Sequence, residues 1–105
     1  MDKGATIMPY INESARIELD DCIEAMVDCL THGNDLDANE FATICGEINY
    51  TFSRILAKTM GKTSYTKIAV ATGVLENIKQ EFYRRIASSY EDKKIVENGD
   101  IKEYR

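Results

Sequence analysis

Apolar residues recur at steps of three and four along almost the whole chain, and little interrupts them. The 105 residues contain one proline and six glycines, so few positions force the backbone to turn. A repeat of this kind puts one apolar stripe on one side of an α-helix. The first stretch runs from about Ser14 to Leu30, with Leu19, Cys22, Ile23, Met26, Val27 and Leu30 on its stripe and Asp20, Asp21, Glu24 and Asp28 opposite. Asn12 or Ser14 can cap it. The second runs from about Glu40 to Met60 through Phe41, Ile44, Cys45, Ile48, Phe52, Ile55 and Leu56, with Asn39 as its cap and Gly61 just past its end. The third starts near Tyr65 and reaches about Ser89 through Ile68, Ala71, Leu75, Ile78, Phe82 and Ile86. Two polar breaks, THGNDLDAN at Thr31 to Asn39 and GKTS at Gly61 to Ser64, separate the three. Tyr90 onward reads as a short fourth helix closing at Asn98-Gly99, with a bend at Ser88-Ser89.

The expected fold is therefore all-α. It is a small bundle of three main amphipathic helices plus a short C-terminal helix, in one domain over 1–105, with 1–8 and 101–105 flexible. The stripes are generous for a three-helix monomer, which favours a homo-oligomer. Gly73 lies inside the third helix, where glycine costs about 1 kcal/mol relative to alanine. It marks either a close helix crossing or a ligand near the backbone.

Charge and composition exclude several functions. The net charge of -5 opposes binding along a DNA or RNA backbone, which needs clustered cations. A local basic pocket for one small anion remains compatible with it. No apolar run nears the roughly 20 residues of a membrane span. Met1 to Met8 has no apolar core of a signal peptide, and three cysteines do not form a paired framework. The expected location is cytoplasmic, with no membrane partner.

No catalytic or metal constellation is visible. His32 is the only histidine and lies in a polar loop. Cys22 and Cys29 are two turns apart on one helix, and no C-x-x-C or H-x-x-x-H occurs, so no metal or cofactor is expected. Cys22, Cys29 and Cys45 are read as buried thiols packing as small hydrophobes. Gly61-Lys62-Thr63 resembles the end of a phosphate loop, but the motif's first glycine is missing.

The polar face of the third helix is the remaining candidate. Asn77, Gln80, Glu81 and Arg84 share a face, with Tyr83 and Lys79 beside them, and Glu81 and Arg85 stand at i, i+4. Two readings stand. The face is a salt-bridged surface in water, or it lines a pocket where arginine forks hold a phosphate or carboxylate and tyrosine rings stack on a base.

Three blocks carry a resemblance: MPYINESARIELDDCIEAMVDCL, GEINYTFSRIL, and TGVLENIKQEFYRRIASSYEDKKIVENGD. Over Met8 to Asp100 the chain resembles a family of small uncharacterised proteins common in phage and bacterial genomes. The EFYRR segment followed by YEDKKIVENGD is the most specific part. The resemblance singles out Asn49, Tyr50, Gly73, Glu76, Lys79, Glu81, Tyr83, Arg84 and Arg85. In the tail it adds Tyr90, Glu91, Asp92, Lys94, Asn98, Gly99 and Asp100. The chain departs from the family between Thr31 and Cys45, and at Ser88-Ser89, where the family often has Ala-Pro.

The family carries no assigned activity, but a phage context implies one class of function. Phages encode small homo-oligomers that sequester the nucleotide signals of bacterial immunity. On that analogy the chain is expected to be non-enzymatic and to bind a cyclic nucleotide or ADP-ribose derivative. Arg84 and Arg85 would hold phosphates, helped by Lys79 or Lys94. Tyr50, Tyr83 or Tyr90 would stack on the base, and Glu76, Asn49 and Asn98 would read hydroxyls and amides. The competing expectation is an acidic helical module that docks on a host or phage protein.

Overall fold

A computed structural model describes residues 11–105. The expected flexibility of residues 1–8 and the expected lack of a signal sequence there lie outside that range. The chain is all-α, as the periodicity predicts, and no strand occurs among the described residues. It divides into two units, one ending at Lys67 and the other comprising Ile68–Arg105.

The first unit opens with α1 (Glu13–Thr31). Asn12 caps it, its side chain accepting from the Ala15 backbone N–H at 3.0 Å, and Glu13 sits favourably in the first turn. The helix stops at His32, which adopts the left-handed conformation (φ 54°, ψ 33°) while its N–H donates to the Asp28 carbonyl. The next helical stretch is split, where the sequence pattern suggested one helix. α2 (Ala38–Thr43) and α3 (Cys45–Met60) meet at Ile44, whose φ of -92° and ψ of 5° break the α conformation. Side chains beside the break bond back to the preceding turn, Thr43 Oγ1 to the Asn39 carbonyl at 2.9 Å and Cys45 Sγ to that of Phe41 at 3.5 Å. Such back-bonding bends helices.

The cap of α2 is Asp37 rather than Asn39. Asp37 Oδ1 accepts from the Glu40 N–H at 2.8 Å. Glu40 Oε1 accepts from the Asp37 N–H at 2.9 Å, which completes a capping box. Gly61 ends α3 at φ 67°, a region that an L side chain enters only with strain. Lys67 Nζ then ties the next helix to the end of α3 through the Met60 carbonyl, at 2.9 Å.

α4 (Tyr65–Phe82) begins at the close of the first unit and supplies the start of the second. It continues directly into a π-helical turn (Tyr83–Ala87) and then α5 (Ser88–Asn98). The expected bend at Ser88-Ser89 is absent, since Ser88 is helical at φ -62°, ψ -42°. The Ser88 N–H bonds to the Tyr83 carbonyl, which carries the hydrogen-bond ladder through this position. Gly99 (φ 85°) ends the run, and a 3₁₀ turn (Lys102–Tyr104) follows.

No side chain is buried among the described residues. The apolar stripes are present as periodicity requires, yet none of their side chains is buried: Leu30, Ile44, Ile48 and Leu56 are partly covered and most of the others are exposed. Ile78 and Phe82 of α4 keep 58% and 63% of their surface. The expectation of buried thiols fails for the same reason: nothing covers the stripes they belong to, and Cys22, Cys29 and Cys45 are free and exposed. No helix of the described residues is long and apolar enough to cross a membrane.

Candidate functional site

The π turn organises the polar face of the second unit. It opens at Tyr83 and contains Arg84 and Arg85. Glu81, just before it, receives both guanidiniums. Arg84 Nη2 reaches both carboxylate oxygens, at 3.0 and 3.2 Å, and Arg85 Nε reaches Oε1 at 3.0 Å. The arginine side chains remain 63% and 57% exposed while Glu81 is reduced to 23%. Helical spacing of three and four residues brings these groups together. One carboxylate faces two guanidiniums, and Arg84 commits a single nitrogen to the pair.

The same turn sets a longer contact. Tyr83 Oη donates to Glu91 Oε1 at 3.2 Å, across eight residues. A π turn takes one residue more than an α turn, so one of each spans about eight residues and returns to the same side. In an uninterrupted α-helix Glu91 would lie well round the cylinder from Tyr83. The Glu91 charge and the bond donated by the neutral phenol together raise the Tyr83 pKa above its ordinary value.

Other expected residues find partners nearby. Lys94 Nζ pairs with Glu97 at 3.2 Å and sits 5.5 Å from the centre of the Tyr90 ring. Glu76 Oε2 accepts from Gln80 Nε2 at 2.7 Å. Lys79 and Asn98 are exposed on α4 and at the end of α5. Thus Arg84 and Arg85 form one set with Glu81, Tyr83 and Glu91 a second, and Tyr90 with Lys94 a third. Gly73 has open space where a side chain would project, with no atom within 4 Å.

Asn49 and Tyr50 belong to the first unit. Asn49 Oδ1 accepts from Ser53 Oγ at 3.1 Å. Tyr50 lines a groove of about 480 Å³ with Met26, Thr51, Arg54, Ile55, Lys58 and Thr59. A neighbouring hollow shares Tyr50, Arg54 and Lys58. Arg54 and Lys58 escaped the sequence reading, although they follow Tyr50 at steps of four. A second signal marks them too: from Ile48 to Leu75 this acidic chain has no Asp or Glu, while Arg54, Lys58, Lys62 and Lys67 are all basic.

The model of a family described as a domain of unknown function (DUF6899) matches residues 8–101. No curated protein and no solved structure matches the chain.

Proposed function

Because the chain belongs to this family of unknown function, which covers nearly all of it, we propose its role from its own residues. It is a non-enzymatic, homo-oligomeric, phage-type protein that binds and sequesters a small anionic nucleotide signal, such as a cyclic nucleotide or an ADP-ribose derivative, in the host cytosol. The observation that carries this reading is the paired guanidinium cluster. Glu81 holds Arg84 and Arg85 side by side at 3.0 Å, an arrangement that pre-positions planar forks for a phosphate. Tyr83 and Tyr90 lie along the same helical run, with the Lys94 ammonium over the second ring. Nothing in this set requires a metal or a general base.

Thermal shift and calorimetry against cyclic dinucleotides and ADP-ribose cyclisation products test the proposal. Stabilisation should grow with ligand concentration by mass action. Arg84→Ala should weaken binding while helicity by circular dichroism stays unchanged. A folded oligomer that responds to no member of the panel rejects the reading.

A second reading, an acidic helical module that docks on a host or phage protein, is favoured by a different observation. Ile68, Leu75, Ile78 and Phe82 leave a continuous apolar stripe of α4 open. Exposed apolar surface of this kind accompanies helix docking. Capture of a protein by the wild type and not by Leu75→Asp, with no nucleotide response from either, selects this second role.

A further inference from the structure

The groove on α3 has what the Arg84–Arg85 cluster lacks, cations with no carboxylate against them among the described residues. Tyr50, Arg54 and Lys58 succeed one another at steps of four, which puts them along one side of the helix. The three span roughly 12 Å at 1.5 Å per residue. Met26 of α1 and Ile55 of α3 supply apolar wall beside the ring. The volume of about 480 Å³ falls within the range of small-molecule sites, roughly 300–1,000 Å³.

Charge sharpens the contrast. Among the described residues, no acidic one lines this groove or the hollow that continues it, and neither Arg54 nor Lys58 takes an ion-pair partner. A further hollow of the first unit, between α1 and the start of α2, is lined by Asp28 and Asp35 and repels anions. In the second unit Glu81 offsets one of the two arginine charges. A fully desolvated phosphate gains most from cations that are not already paired.

We propose that the α3 groove is the seat of a nucleoside phosphate, with the base against the Tyr50 ring and the apolar wall, and the phosphates on Arg54 and Lys58. Tyr50 is 64% exposed, which leaves a face for the base to cover. Arg54 offers a planar fork and Lys58 a mobile point charge one turn further on. The inference rests on the small-anion reading above and moves the main contact from the π turn to α3.

Isothermal calorimetry on the full chain separates the two. The probes are ADP, adenosine and pyrophosphate, with a cyclic dinucleotide as a fourth. ADP is expected to bind tighter than adenosine or pyrophosphate, because each lacks half of the contacts. Arg54→Ala and Lys58→Ala should each weaken ADP by roughly tenfold or more, as loss of a charged hydrogen bond does. Tyr50→Leu should weaken ADP by a similar factor and leave pyrophosphate unchanged. Lys93→Ala, an equal charge change on α5, should alter nothing. Circular dichroism of each variant checks that the exposed substitutions keep the helices. Nucleotide binding that survives Arg54→Ala and Lys58→Ala but is lost in Arg84→Ala overturns this inference and leaves the proposed function standing. No binding of any of the four probes overturns both.

Discussion

Tyr83 shows how a single contact on a helix surface becomes measurable. The charge of Glu91 and the bond its carboxylate accepts from the phenol favour the neutral phenol, so the Tyr83 pKa is raised. A group with a raised folded pKa adds stability that is fully present below the unfolded value, about 10 for tyrosine. That stability is lost as pH climbs through the higher folded value. Glu91→Gln keeps an acceptor and removes the charge. The Tyr83 ring resonances, followed by NMR through alkaline pH, should then titrate at lower pH than in the wild type. An unchanged midpoint would mean that the carboxylate charge does not reach the phenol in solution. Glu81 is the opposite case, a residue whose work is to hold two others. In Glu81→Gln the arginine forks lose their charged anchor, and Arg84 and Arg85 side-chain N–H protons should exchange with water faster.

The helices differ in how firmly their ends are fixed. α2 has six residues, too few to persist alone, and depends on the reciprocal bonds of Asp37 and Glu40. Asp37→Ala should cost about 1 kcal/mol in urea unfolding, the usual loss for a cap. The glycines predict opposite signs from their backbones. Gly61 ends α3 at positive φ, so Gly61→Ala should destabilise by about 1 kcal/mol. Gly73 sits mid-helix with open space about it, so Gly73→Ala should stabilise by up to about 1 kcal/mol. A destabilised Gly73→Ala in calorimetric melting would show that another helix lies against that position in the assembled protein. The π turn explains why the segment after Ile86 continues as helix. Its extra residue is absorbed by wider hydrogen bonding, from the Ser88 N–H to the Tyr83 carbonyl.

For the whole molecule, the outstanding feature is apolar surface without cover. Leaving large aliphatic and aromatic side chains about half exposed forfeits stabilisation of roughly 25 cal/mol per Å², and association recovers it. The protein is therefore expected to be larger than its 11.9 kDa chain by light scattering, with a melting temperature that rises with concentration. Replacing Leu75 and Ile78 together by Asp should lower both the particle mass and that concentration dependence. Melting that is independent of concentration, at monomer mass, would contradict it. The uneven charge along the chain adds a salt effect. Anions attracted to the basic stretch from Ile48 to Leu75 should bind more weakly as ionic strength rises, because exposed charges are screened within about 10 Å at 0.1 M salt.

Periodicity was enough to establish that the chain is helical, where its three main helical runs lie and which side of each is apolar. These are local properties, set by spacing along the chain and by the few residues that end a helix, such as Asn12, Gly61 and Gly99. The split at Ile44 and the π turn at Tyr83 were not legible in the same way. Each depends on which backbone carbonyl an N–H or side chain finds, a choice among near-equal alternatives that spacing does not rank. The candidate site divides along the same line. Arg84, Arg85 and Glu81 could be read as neighbours from steps of three and four, since one helix carries them. That Tyr83 meets Glu91 follows only from the turn between them. That Tyr50 shares a groove with Met26 of another helix follows only from where the two helices lie within the first unit. Charge pairing also had to be seen in three dimensions, because whether a cation is answered depends on where the nearest carboxylate comes to rest.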